Sequence, residues 1–109
     1  MHTSLHTLRR CATRARRLVR DARGAVAVAR RGVALALRAV HKGERCNAAY
    51  AAKRAAALPP LPPHDEPCDV GHWKKWVTYW QRTLKDDLKD QRLAKVHLHA
   101  MQALLASWS

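Results

Sequence analysis

Arg9-Arg10-Cys11-Ala12-Thr13-Arg14-Ala15, Arg16-Arg17-Leu18-Val19-Arg20-Asp21-Ala22, Arg23 through Ala29 and Arg30 through Ala36 are successive seven-residue units, each opening with Arg and closing with Ala. Seven residues is close to two helical turns, so residues at that spacing fall on one line of a helix. Leu5, Ala12, Val19, Val26, Val33 and Val40 share such a line, and Leu8, Ala15, Ala22, Ala29 and Ala36 share the line beside it. The two lines together predict a helix with a continuous apolar seam. Away from the seam fall Arg9, Arg16, Arg23 and Arg30, flanked by Arg10, Arg17, Arg31, Arg38 and Arg45, with Arg20 beside them. One helix face is therefore small and apolar, and the other carries guanidinium groups.

Two features compete with an unbroken helix. Gly24, Gly32 and Gly43 each cost about 1 kcal/mol relative to Ala in a helix interior, which predicts breaks near them. Residues 25–29 and 33–37 also alternate enough to suggest a hairpin around Arg30-Arg31-Gly32, although Ala is a poor strand former. Asn47 to Leu58 reads as a second, Ala-rich helical stretch, ended by Pro59-Pro60-Leu61-Pro62-Pro63. Proline disfavours helix in the residue before it and favours extended chain, so residues 58–69 form a Pro-rich linker.

Beyond the linker, residues 70–109 contain no Pro, and Gly71 is the one Gly. With Asp69 as N-cap this segment predicts a long helix. Trp73, Trp76, Val77, Trp80, Leu84 and Leu88 follow helical spacing on one face. Leu93, Val96, Ala100 and Leu104, then Met101, Leu105 and Trp108, form a second stripe rotated from the first. The fold class expected is all-α: an Arg-rich segment over residues 1–57, the linker, and a Trp-bearing helix. Phe and Ile are absent and 20 of the 109 residues are Ala. Such a composition suits thin helix packing or docking on a partner better than a compact, self-sufficient globule, since Ala contributes little on burial.

Charge divides the chain. Residues 1–57 hold fourteen Lys and Arg against Asp21 and Glu44, whereas residues 58–109 hold seven against six acids. Twelve of the first fourteen bases are Arg and five of the last seven are Lys. Arg presents a planar fork that pairs with phosphate in two-point fashion, so an Arg-dominated excess points to RNA or another polyanion, with an anionic membrane surface as a further partner. The anion-binding residues expected are Arg9, Arg10, Arg16, Arg17, Arg20, Arg23, Arg30, Arg31, Arg38 and Arg45. The first 40 residues, rich in Arg with Thr3, Ser4, Thr7 and Thr13 and a single acid, also have the character of a mitochondrial presequence lying within residues 1–45.

The Trp-bearing face (Trp73, Trp76, Val77, Trp80 and Leu84) reads as a surface for docking on a neighbouring protein, because local charge is balanced there. His64, Cys68 and His72 match no paired zinc motif, and His97 and His99 point in different directions on a helix, so no metal is expected. Cys11, Cys46 and Cys68 are widely spaced and odd in number, which argues against a disulfide framework. Arg30 and Arg31 interrupt the one apolar run that approaches a membrane span. No phosphate loop, dinucleotide fingerprint, zinc-protease or nucleophile-elbow motif is present, so neither catalysis nor a cofactor is expected.

The function this implies is that of a non-catalytic, basic structural subunit of a large mitochondrial assembly, with a ribosomal one foremost. In that reading the Arg face meets RNA phosphates and the Trp face meets a protein neighbour. Alternatives are an accessory subunit of a respiratory complex after presequence removal, and a viral or bacterial nucleic-acid-packaging protein.

Overall fold

A computed structural model describes residues 4–61 and 66–108. Among them are two helices and no strand: α1, Leu5–Ala56, and α2, Val70–Ala106. The all-helical expectation holds. The hairpin around Arg30-Arg31-Gly32 does not form, and the segment from Asn47 continues α1 rather than starting a second helix. Pro62, Pro63, His64 and Asp65 lie outside the described residues, and with them half of the Pro run and the first residue of the His-Cys-His pattern.

Each helix end has a local cause. Ser4 caps α1: its Oγ accepts the Thr7 N–H at 3.1 Å, and its carbonyl accepts the Leu8 N–H at 3.0 Å. At the other end the Arg54 carbonyl accepts from Ala57 N–H at 3.4 Å and Leu61 N–H at 3.1 Å, just where Pro59 and Pro60 bar further helix. Asp69 caps α2 as expected, its Oδ1 accepting the His72 N–H at 3.0 Å.

The chain forms two compact units, residues 1–30 with 82–109, and residues 31–81. In the first, Leu8, Ala12, Ala15, Val19, Val26 and Ala29 of α1 are buried. Their spacing is the seven-residue seam of the sequence. From α2, Leu84, Leu88, Ala94, Leu98, Met101 and Leu105 are half-buried, at the same repeat, while Leu93, Val96, Leu104 and Trp108 stay exposed. Among the described residues no large side chain is fully buried. Burying a Val or Leu contributes roughly 1.5–3 kcal/mol and Ala far less, so this is a thin seam.

In the second unit the seam continues through Gly32, Ala36, Val40, Gly43 and Asn47, and here named contacts pin it. Trp80 lies directly on Gly32: a Cβ there would overlap the indole ring, with Cε3 only 2.7 Å away. A Cβ on Gly43 would meet Val70 Cγ2 at 3.0 Å. Asn47 reaches Cys68. Positions ascending α1 thus meet positions descending α2, so the helices of this unit run antiparallel. The expected breaks at Gly32 and Gly43 are absent for the same reason. The absence of a side chain lets the opposite helix approach, and that packing offsets a propensity cost of about 1 kcal/mol at each glycine.

Candidate anion-binding and docking faces

In the first unit Arg9, Arg10, Arg14, Arg16, Arg17, Arg20, Arg23 and Arg30 are all exposed on α1, with Asp21 the single acid of that stretch. Arg20 Nε and Asp21 Oδ1 are 4.0 Å apart, with side chains 77% and 66% exposed. A pair so open to water contributes about 0–1 kcal/mol. Among the described residues no carboxylate pairs with the other seven.

Helix geometry then sets like charges together. Arg10–Arg14, Arg14–Arg17, Arg16–Arg20, Arg17–Arg20 and Arg20–Arg23 are three- or four-residue neighbours, and each such pair destabilises a helix by about 0.2–0.5 kcal/mol. Arg9 and Arg10 also stand near the N-terminus of α1, whose first turn has no acid. There the helix dipole is itself positive and favours an anion. Arg9, Arg10, Arg14 and Arg17 line a shallow concavity with His6, Thr7, Cys11 and Thr13; a second is lined by Thr13, Arg16, Arg17 and Arg20. Thr13 Oγ1 sits in both, donating to the Arg9 carbonyl at 3.0 Å and accepting from Arg16 Nη2 at 3.3 Å. Chemically, this surface offers forked guanidinium donors to an anion, with Asp21 the one carboxylate of this stretch of α1.

In the second unit Arg31, Arg38 and Arg45 are exposed on α1 at seven-residue spacing. They complete the set of sequence-predicted anion-binding residues, although at lower density than in the first unit.

The aromatic residues at the start of α2 form an edge-to-face series. Ring centroids are 5.4 Å apart for His72–Trp73, 5.4 Å for Trp76–Tyr79 and 5.3 Å for Tyr79–Trp80. Trp76 Nε1 donates to His72 Nε2 at 3.2 Å. Trp73, Trp76 and Tyr79 are 42%, 41% and 53% exposed, whereas Val77, Trp80 and Leu84 are half-buried. The five docking residues expected from sequence are thus divided: Trp73 and Trp76 remain on the outer face, joined by Tyr79, while Trp80 is engaged by Gly32 inside the unit.

Sequence reasoning missed a polar cluster in the second unit. Buried Asn47 accepts the Cys68 N–H on Oδ1 at 3.0 Å and donates through Nδ2 to the Cys68 carbonyl at 3.1 Å and to Glu66 Oε2 at 3.2 Å. The Cys68 thiol is pushed above its ordinary value, chiefly by a side-chain hydrogen bond with Cys46 and then by desolvation, with Lys42 acting in the opposite sense. The one available signal was a lone Asn interrupting the apolar seam.

Among the described residues, no group of three His, Cys, Asp or Glu is placed to hold a metal ion, and no helix is long and apolar enough to cross a membrane.

Comparison with protein-family models, curated proteins and solved structures returns no match.

Proposed function

We propose that this chain is a non-catalytic, RNA-binding structural subunit of a larger assembly, with the mitochondrial ribosome as the setting that best fits its design. The observation supporting this reading most strongly is the row of exposed Arg on α1 of the first unit, seven of whose eight members have no carboxylate partner among the described residues. A helix that places five like-charged pairs on its own surface is destabilised by them, and phosphate contact converts that repulsion into binding. The exposed Trp73, Trp76 and Tyr79 supply the second contact, to a protein neighbour, since clustered exposed aromatics commonly anchor interfaces.

Binding of the full chain to single-stranded and duplex RNA, followed by fluorescence anisotropy across a salt series, tests the first part. Phosphate contacts release counterions, so six or more of them should weaken binding by about a thousandfold or more between 50 and 200 mM salt. Replacing Arg9, Arg10, Arg16 and Arg17 by Gln should flatten that slope and leave helix content unchanged. Salt-independent binding would remove the phosphate reading. The location is tested separately: residues 1–45 fused to a reporter should carry it into mitochondria, and cytosolic retention would overturn that element alone.

A further inference from the structure

Cys46 lies in α1 and Cys68 near the far end of the Pro-rich linker, and the second unit brings them together. Cys68 is held at both ends of its backbone by Asn47, the residue after Cys46, through bonds of 3.0 and 3.1 Å. Its Cβ lies 3.6 Å from where a Cβ on Gly43 would stand. Gly43, Cys46 and Asn47 belong to one turn of α1, three and four residues apart, so Cys68 is pressed onto the turn that bears Cys46. The Cys46 side chain is the main influence raising the Cys68 thiol above its ordinary value, as expected of two neighbouring thiols. Both thiols are reduced, Cys46 exposed and Cys68 half-buried, so a dissolved oxidant has access to at least the first.

We propose that Cys46 and Cys68 form a reversible dithiol–disulfide site that exchanges two electrons with low-molecular-weight disulfides of the glutathione class. The exposed Cys46, as thiolate, attacks one sulfur of the oxidant, forming a mixed disulfide and releasing one reduced thiol. Cys68 then gives up its proton and its sulfur attacks Cys46 Sγ, closing the intramolecular bond and expelling the second reduced thiol. Two protein thiols are oxidised, one small disulfide is reduced to two thiols, and no other reactant is needed. Asn47 is a positioning residue: it fixes the Cys68 backbone over α1. Cys11, in the other unit, has no part in the reaction. The product ties α1 to the residue just before the cap of α2, across the linker.

The test uses the full chain in buffers of graded oxidised-to-reduced glutathione, quenched with acid and read by intact mass and peptide mapping. The expected product has lost two hydrogens, links residue 46 to 68 and retains one alkylatable thiol, at Cys11. Cys11→Ser should leave this transition in place. Cys46→Ser or Cys68→Ser should abolish it and leave a glutathione adduct on the remaining partner. Because any two cysteines in a flexible chain can meet, the same titration is repeated in denaturing urea and on Asn47→Ala. The native chain should close at an oxidant ratio at least about tenfold lower than either control, reflecting the higher effective concentration of positioned thiols. Equal ratios in all three would overturn the proposal. So would adducts on all three cysteines without a 46–68 bond.

Discussion

Residues 31–81 hold their two helices through contacts that can be named singly: Trp80 on Gly32, Val70 against Gly43, and Asn47 on both backbone groups of Cys68. Residues 1–30 with 82–109 present a seam of Leu8, Ala12, Ala15, Val19, Val26 and Ala29, positions that differ little from one turn to the next. A repeating seam of small side chains tolerates a shift by one repeat, because every heptad presents much the same surface. A glycine covered by an indole does not. Register is therefore specified in the second unit, while the first carries the dense charge, eight Arg against one acid on α1. The part of α1 proposed to meet an anion most densely is not the part whose register is pinned by named contacts, so substitutions should separate the two properties.

The largest effect is expected at Gly32. Gly32→Leu forces a branched side chain into the space of the Trp80 ring, and overpacking of this kind costs about 1–3 kcal/mol or more. Urea denaturation followed by circular dichroism should place this variant at the destabilised end of the series. The milder Gly32→Ala identifies the cause: its cost should largely disappear in a Trp80→Ala background, because the two residues are in contact and their effects are then non-additive. Full additivity would show that the indole does not depend on Gly32.

Asn47→Ala comes next. It leaves the Cys68 N–H without its partner in a part-buried setting, at a cost of about 1–3 kcal/mol, while the Cys68 carbonyl keeps the Val70 N–H at 3.0 Å. RNA affinity should be unchanged, since Asn47 lies outside the Arg-dense stretch. A parallel fall in affinity and stability would mean that the two units do not divide the work as described.

Sequence periodicity made the inner face of α1 legible because Val and Ala recur there every seven residues while Arg occupies the outer positions. It was ambiguous for α2. Apolar residues fall on two sides of that helix, and the side taken inward in the first unit is Leu84, Leu88, Ala94, Leu98, Met101 and Leu105, not the exposed Leu93, Val96 and Leu104. Gln91 shares the half-buried set, so hydrophobicity alone could not have chosen it. Gly32 and Gly43 were misread as helix breaks because propensity describes an isolated helix, and the approaching Trp80 and Val70 are tertiary facts; Gly24, with nothing within 4 Å, is simply carried inside the long helix. The partners of Asn47 and the approach of Cys68 to the turn bearing Cys46 were hidden for a related reason: both depend on how the chain returns through the Pro-rich linker, which no local spacing encodes. A lone Asn in the apolar seam was the one signal. The Arg excess was plain from sequence, and the structure adds its exposure and, among the described residues, the lack of carboxylate partners for seven of the eight Arg on α1 of the first unit.

Arg20 offers a substitution that should move stability and binding in opposite directions. It takes part in three like-charge pairs, with Arg16, Arg17 and Arg23, worth about 0.2–0.5 kcal/mol each. Its contact with Asp21 is too exposed to offset them. Arg20→Gln should raise stability by about 1 kcal/mol at low salt, on the strength of those three pairs, and the gain should fade as salt screens the remaining charges. The same variant should weaken RNA binding and reduce the steepness of its salt dependence. A loss of stability would show that Arg20 makes a favourable contact through its aliphatic stem.

The smallest effect is expected at Gly24, and its sign is what matters. Gly24 lies inside α1 as Gly32 does, so replacement by Ala removes the same backbone entropy cost from both, about 1 kcal/mol. The surroundings differ: a Cβ at position 24 would have nothing within 4 Å, whereas at position 32 it would overlap Trp80. Gly24→Ala should therefore stabilise the chain by up to about 1 kcal/mol, with no penalty to subtract, and Gly32→Ala should destabilise it even though its helix propensity gain is equal. Measured side by side in the full chain, the difference between the two substitutions isolates the packing of one indole ring against one backbone position. If both variants gain stability alike, Trp80 is free to move aside, and register in residues 31–81 must then rest on Asn47 and Val70.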